Sequence, residues 1–411
     1  MDSIIDKLPK MLIGEELYEN SLALPDYNDR IRLQTAGERL IALSDLYSIY
    51  IPSDMSAEIY CKLYLALVRS LQKKSTTDTI RQLNENHKMM QKQAYNGIIG
   101  GSDCFTITGC SGIGKSSAIY RAIDLIGVKG VVETQSPYRK VIPFVVVQTP
   151  FDCSVKGLLL EILRQVDKFI DSDYYIKGMR GRVTTDMLIG MVSQVALNHI
   201  GLLIVDEIQN IVNHKGGMSL VNMLTQLINT SGISITMVGT PESTAFFEQA
   251  LQLARRSLGL HYNTLEFNDF FCDFCKLAFE YQYTKEKVEL TDSILHWLYE
   301  HSGGIVSVVI SLLHDAQEIA ILGGMEKICA ETLNMAYQKR LSLLHAYIEP
   351  VITKRKQTSA IKQQQTSYNK VSERVVDTEI TIHKIAEKAK NESLDIVQEL
   401  KKRFPVVEVR I

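Results

Sequence analysis

Gly109-Cys110-Ser111-Gly112-Ile113-Gly114-Lys115-Ser116 satisfies the pattern G-x-x-x-x-G-K-[ST] at every fixed position, and it follows the strand-like stretch 104–108. Glycines at this spacing let backbone N–H groups turn inward around a β-phosphate. Lys115 then reaches the β- and γ-phosphates, and the Ser116 hydroxyl ligates Mg2+. Residues 117–123 continue as a helix whose N-terminal dipole faces the phosphates. A glycine-rich turn matching by chance would lack the flanking strand and helix, so the stretch predicts ATP and Mg2+ bound by residues 109–117, Ser117 included.

Working outward, Gly201-Leu202-Leu203-Ile204-Val205-Asp206-Glu207 reads as a buried strand that ends in two adjacent carboxylates. This is the arrangement of the Walker B element of P-loop ATPases. There Asp206 joins Ser116 in holding Mg2+, and Glu207 orients and polarises the attacking water. The bland alternative is a strand that stops at an acidic helix start, where carboxylates are favoured by the helix dipole. Runs 141–148 and 233–238 supply further strands, with helical spacing between them. The whole predicts an α/β core with a parallel sheet covered on both faces.

The flanks differ in composition. Residues 1–95 lack glycine clusters and carry helical apolar spacing, as in Ile41, Leu43, Leu46 and Tyr47 and again in Leu63, Leu65, Leu67, Val68 and Leu71. They predict a helical, partner-binding N-terminal unit with a break at 73–77. The core is expected over 96–268, entered through the glycines of 97–101, and a small helical lid over 269–348. Residues 349–411 read as a basic, partly flexible tail with a short helix near 377–402. Within it, 351–411 carry thirteen Lys or Arg against eight Asp or Glu. That tail is either a solvated surface or a docking segment.

A chain of 411 residues with 45% hydrophobic content supports two or three globular units. Its net charge of −2 advertises no global field for nucleic acid, so such binding must come from a local patch. Seven scattered cysteines, no secretory signal and no apolar run near membrane-spanning length predict a reduced, cytoplasmic protein with no membrane partner. Cys272-Asp273-Phe274-Cys275 is half of a zinc pattern without a second half. It reads as two buried cysteines on one helix face, and no metal beyond Mg2+ is expected.

Two further stretches narrow the family. Thr236-Met237-Val238-Gly239-Thr240-Pro241-Glu242 ends a strand, and Leu253-Ala254-Arg255-Arg256-Ser257 follows it. In this order the set resembles AAA+ ATPases. With Val205-Asp206-Glu207-Ile208-Gln209-Asn210 and the lid stretch Glu300-His301-Ser302-Gly303-Gly304-Ile305, it looks most like the TnsC/TniB branch of transposition regulators, over roughly residues 95–345.

The resemblance implies that Thr240 sits at the sensor-1 position and helps to place the hydrolytic water. It implies that Arg255 or Arg256 is an arginine finger offered to a neighbouring subunit's γ-phosphate. It further implies a self-associating ring or filament on duplex DNA, nucleoid-associated in a bacterium, that links a target-selection protein to transposase subunits. For contact with DNA phosphates the chain offers Lys156, Lys177, Arg180 and Arg182, whose alternative reading is a solvated basic loop. Ile305-Val306-Ser307-Val308 follow Gly303-Gly304 with no basic residue nearby, so a cationic lid contact to the γ-phosphate and fast hydrolysis are not expected. Two other readings stay open. One is a replication-initiator or helicase-loader type of ATPase, and the other is a nucleotide-dependent signalling or defence switch, although the chain is short for the latter.

Overall fold

In a computed structural model, the described residues are 4–74, 77–91, 104–127, 130–135, 138–211, 217–230, 234–244, 259–345 and 348. Residues 1–344 form one compact unit and 345–411 a second, of which only His345 and Ile348 are described. The sheet, its helices and the lid all belong to the first unit.

Four helices precede the sheet: α1 (Gly14–Ser21), α2 (Ala36–Ala42), α3 (Asp54–Lys74) and α4 (Thr77–Met90). The core alternates strands and helices as β1 (Phe105–Gly109), α5 (Lys115–Ile126), β2 (Val132–Gln135), β3 (Tyr138–Gln148), α6 (Val155–Ile170), α7 (Tyr174–Gly178), α8 (Thr185–His199), β4 (Ile200–Asp206), α9 (Gly217–Thr230), β5 (Ile235–Gly239) and β6 (Leu260–Tyr262). The lid helices are α10 (Asp269–Glu280), α11 (Asp292–Ser302), α12 (Val306–Leu322) and α13 (Ala330–Met335).

The sheet order is β2-β3-β4-β5-β1-β6. Strands β3, β4, β5, β1 and β6 are parallel, as the alternation of strands and helices predicts. The short β2 pairs antiparallel with β3, and it and β6 are edge strands that the sequence did not reveal. The period of two sends alternate side chains to opposite faces. Leu203 and Val205 enter the layer of α6, α8 and α9, while Leu202 and Ile204 enter the layer of α3 and α5. This is an α/β P-loop core, with the chain reversing across β5 and β1 so that a crevice opens at the C-terminal ends of β1, β4 and β5.

α3 lies against the sheet because Ile59, Leu63, Leu67 and Leu71 recur every four residues and are at most 2% exposed. Ser70 Oγ donates to the Gly201 carbonyl at 2.6 Å. Lys74 Nζ donates to the carbonyls of Ala196 and Leu197 in the last turn of α8, where the Ala196 carbonyl also accepts the Ile200 N–H. The apolar spacing at 41–47 is not one helix face. α2 ends at Ala42 and a 3-10 turn covers Leu43–Ser48, which buries Leu43 and Leu46 and leaves Ile41 and Tyr47 exposed. A turn of three residues rotates the stripe away from the face that an α-helix would present.

The segment between α1 and α3 is fastened at both ends. Arg121 of α5 donates to the carbonyls of Asn20, Ser21 and Leu22. Arg39, 1% exposed, forms a bidentate pair with Glu326 at 2.7 and 2.8 Å and donates to the Tyr283 carbonyl at 3.0 Å. The Arg39 hydrogen bonds hold the Glu326 carboxyl below its ordinary range. That contribution to stability is present at neutral pH and is lost as the pH falls through the lowered value. Tyr27 and Tyr283 add hydroxyl bonds to the Gln282 carbonyl and to Asp45.

Arg39→Met removes a buried guanidinium and leaves the Glu326 carboxylate only its Lys285 contacts, and should lower unfolding stability by about 3 kcal/mol in urea titrations. Arg39→Met with Glu326→Met should recover part of that loss. Equal stability of the single variant and the native chain would remove the pair from the fold's energetics.

Among the described residues no single helix is long and apolar enough to cross a membrane; α11 and α12 reach that composition only as a pair bent by 120°.

Candidate nucleotide-binding site

The C-terminal end of β1 runs into the loop Gly109–Gly114, and α5 begins at Lys115. Gly112 and Gly114 hold φ of +80° and +98°, in the left-handed region where a side chain is strained, so the tight cradle needs glycine at both. A Cβ on Gly112 would also strike Ser307 of α12. Lys115 Nζ donates to the carbonyls of Gly109 and Cys110 at 2.7 and 2.9 Å, which holds the ammonium across the mouth of the loop. Burial pulls its pKa below the ordinary lysine value, with Asp206 the first charge opposing that shift.

β4 delivers Asp206 and Glu207 to the same mouth. Asp206, 9% exposed, accepts the Ser116 hydroxyl on Oδ2 at 3.2 Å and the Glu207 N–H on Oδ1 at 2.8 Å. Its backbone carbonyl accepts the N–H and hydroxyl of Thr149 at 2.9 and 3.0 Å, which ties the strand end to the end of β3. Glu207 sits at φ +58°, uncommon for a residue with a side chain and a form of strain found at functional sites. The pairing of the Ser116 hydroxyl with Asp206 presents hard oxygen donors of the kind Mg2+ takes, so these two residues would hold that ion. When bound, it would neutralise charge on β- and γ-phosphate oxygens.

These residues line one cavity of about 330 Å³. Ser111, Gly112, Gly114, Lys115, Ser116 and Ser117 form one side; Asp206, Glu207, Gln209, Gly239 and Thr240 form the next. Leu46, Tyr47 and Ile49 of the N-terminal segment line the cavity together with Val306, Ser307, Ile310 and Ser311 of α12, and the Tyr47 ring packs 4.9 Å from that of His314 on the same helix. The lid reaches the phosphate loop without a cation, because the Ser307 N–H donates to the Gly112 carbonyl at 3.0 Å. This backbone contact to the loop is a different one from the cationic contact to the γ-phosphate that the sequence does not predict.

A second cavity of about 390 Å³ shares Ile49, Gly114, Ser117 and Val306 with the first. It is walled by Tyr50, Ile51, Met55, Ile113, Tyr262, Phe270 and Phe274. A polar recess beside a mainly apolar one suits a ligand with a charged end and a planar apolar end.

The structure therefore brings Ser111 to Ser117, Asp206, Glu207 and Thr240 together, with Ile113 in the adjoining recess and Gly109 and Cys110 holding Lys115. Arg255 and Arg256 lie outside the described residues. Lys156 is exposed in the first turn of α6, and Arg180 and Arg182 are exposed in the connection to α8. Lys177 is not in that loop: it lies on α7, exposed, and pairs with Asp173 at 2.6 Å. None of the four lines either cavity.

Sequence reasoning missed Leu46, Tyr47, Ile49, Ser307, Ser311 and Gln209. Only Gln209 carried a local signal, its place two residues beyond the carboxylate pair. Cys275 is buried on α10 and its thiol is pushed up to about 12 by burial, whereas Cys272 is half-buried. The expected pair of buried cysteines is thus one buried and one half-buried, since residues three apart on a helix subtend different depths.

Residues 62–263 match the family model of the bacterial TniB protein. No curated protein matches the chain significantly. Among solved structures, the Orc1 protein of Aeropyrum pernix in complex with DNA is 13% identical with a TM-score of 0.42, covering 79% of this chain and 82% of that one. A Walker-type ATPase of Pyrococcus abyssi is 11% identical with a TM-score of 0.39, covering 80% and 90%. A mutant RuvB of Thermotoga maritima is 12% identical with a TM-score of 0.34, covering 70% and 69%. At those scores the likeness carries no functional weight. The family match runs from within α3 to just past β6 and contains the phosphate loop and the strand-end carboxylates, so over residues 62–263 the chain is similar to the bacterial TniB protein.

Proposed function

We propose that this chain is a Mg2+-dependent ATPase that regulates DNA transposition by assembling on target duplex DNA and joining a target-selection protein to transposase subunits. The observation that carries the nucleotide chemistry is the convergence of Lys115, Ser116, Asp206 and Glu207 on one cavity beside a glycine cradle. The transposition role rests on the TniB family match.

In this reading the triphosphate lies along Gly109–Ser117 and the base enters the recess walled by Tyr50, Ile113 and Phe274. Water attacks the γ-phosphorus and the bond from that phosphorus to the β,γ-bridging oxygen breaks. Glu207 takes the water's proton, and ADP and phosphate leave. Thr240, on the cavity wall at the end of β5, is placed to orient that water. Arg255 or Arg256 of a neighbouring subunit would stabilise the transferring charge, making hydrolysis depend on assembly in a ring or filament. With Ser307 and Ser311 where a cation would otherwise stand, turnover is slow and the ATP-bound assembly persists long enough to act as the signal.

Exposed Lys156, Lys177, Arg180 and Arg182 are the candidate phosphate contacts. Each is weak alone, and repetition through identical subunits multiplies them. A Lys177/Arg180/Arg182 triple alanine variant should keep ATP affinity, lose on the order of tenfold or more in duplex affinity and flatten the salt dependence. Fluorescence anisotropy across a salt series reads both quantities, and an unchanged slope clears this region of the role.

The whole reading is tested by negative-stain imaging with duplex DNA, comparing a non-hydrolysable ATP analogue with ADP. Rings or filaments on DNA with the analogue alone are expected. Monomers with either nucleotide would favour the loader or signalling-switch readings instead.

A further inference from the structure

Gln209 has no role of its own in the proposed hydrolysis, yet it touches the one carboxylate on which that reaction turns. Its Nε2 donates to Glu207 Oε2, while its own Oε1 is buried and has no hydrogen-bond partner among the described residues. That oxygen faces the end of β5: a Cβ placed on Gly239 would stand 3.1 Å from it. The same Cβ would meet Ile208 Cγ2 at 2.5 Å and Ser243 Oγ at 2.9 Å, so this strand end is closely packed on the side where the glutamine amide lies. The amide therefore occupies the gap between the Glu207 carboxylate and the strand end that carries Thr240.

Its orientation has a physical cause. Turning the amide over would set its oxygen against a carboxylate oxygen, two acceptors with no proton between them. Glu207 needs such a support. Its backbone sits at φ +58°, fixed by the N–H bond to Asp206 Oδ1 and by the Asn210 N–H donating to its carbonyl at 3.1 Å. Those bonds hold the main chain only. Beyond Cα the glutamate has three free torsions, and a flexible carboxylate samples many positions of which few face an attacking water.

We infer that Gln209 is the positioning residue for Glu207, its amide holding the carboxylate between β4 and the end of β5, in line with the cavity that Thr240 also faces. The inference rests on the reading of Glu207 as general base. Gln209 touches neither phosphate nor water in this scheme and acts through the glutamate alone. A hydrogen bond from an amide to a charged carboxylate is strong enough to shift the population of productive orientations by about 10- to 100-fold.

The test uses the full chain and the near-isosteric Q209M, which keeps the volume and removes the donor. With ATP and Mg2+, Q209M should lower kcat by about 10- to 100-fold, while KM and the affinity for a fluorescent ATP analogue stay within about twofold. In a Glu207→Gln background the same change should cost nothing further, because the group through which Gln209 acts is gone. In nucleotide-free protein, hydrogen exchange across residues 203–211 should quicken in Q209M, since a side-chain tie across the strained turn has been cut.

Native kcat in Q209M overturns the inference, and so does a loss of equal size in the Glu207→Gln background, which would place its action elsewhere. A rise in KM with unchanged kcat also overturns it, because it assigns Gln209 to binding. Absence of ATP hydrolysis by the native chain would instead bring down the ATPase reading, and the positioning role with it.

Discussion

Lys115→Ala is expected to weaken ATP binding on the order of a thousandfold and to abolish nucleotide-dependent assembly on DNA. The size follows from what the side chain does. An ammonium reaching the β- and γ-phosphates makes charge-assisted hydrogen bonds worth about 1.5–3 kcal/mol each, and two of them correspond to several powers of ten in affinity. The geometry keeps the loss from being repaired locally. Lys115 is the first residue of α5, held by the Gly109 and Cys110 carbonyls, and the neighbouring charges on that cavity are the carboxylates of Asp206 and Glu207. With the lysine gone, those two acids face the phosphates unopposed by it. Titration with a fluorescent ATP analogue reads the affinity. A variant that still binds within tenfold of the native chain, or still assembles with the analogue, ends the nucleotide-switch account.

Glu207→Gln should leave binding intact and slow hydrolysis by about a hundredfold or more, the usual contribution of a positioned general base. The substitution is nearly isosteric, and the Asp206 and Asn210 bonds that shape the turn use the Glu207 backbone, so the fold of the site survives. What is lost is the acceptor for the water's proton. Phosphate release under single-turnover conditions should fall while analogue affinity holds, and assemblies formed with ATP should persist instead of decaying. Native turnover in this variant would move the base elsewhere in the cavity. The two substitutions thus separate entry to the bound state from exit, and a regulator timed by hydrolysis needs opposite phenotypes from them: no assembly in one, lasting assembly in the other.

Much of this site is legible in the chain because its chemistry is local. A phosphate cradle needs backbone N–H groups from consecutive residues, so its glycines, lysine and serine must fall at fixed spacing from Gly109 to Ser116. The carboxylate proposed to hold Mg2+ stands at a strand end and so leaves a visible apolar run closed by Asp206 and Glu207. The alternation of β-branched runs with helices made the parallel sheet readable, since strands buried on both faces have no polar side to show. Readability declined where a residue's role depends on a partner far along the chain. Arg39 looked like one charge among many on a helix, and nothing near it announces Glu326, 287 residues away. Ile41 and Tyr47 matched an apolar stripe until the 3-10 turn after Ala42 rotated them outward.

The amino-acid sequence by itself determined the phosphate-loop and strand-end carboxylate motifs on which the proposed nucleotide chemistry rests, the α/β core and the order of its parts, because each depends on short-range spacing and periodicity that any folded context must respect. Only the tertiary structure decided the rest of the pocket. It brought Leu46, Tyr47 and Ile49 from before the sheet, and Ser307 and Ser311 from the lid, into the lining of one cavity. It set the Gln209 amide between Glu207 and Gly239. Those walls join residues more than 250 positions apart, held by the buried Arg39–Glu326 pair and the Ser307–Gly112 contact. Such closures come from packing over loop lengths that leave no periodic trace, which is why the cradle was written in the sequence and its cover was not.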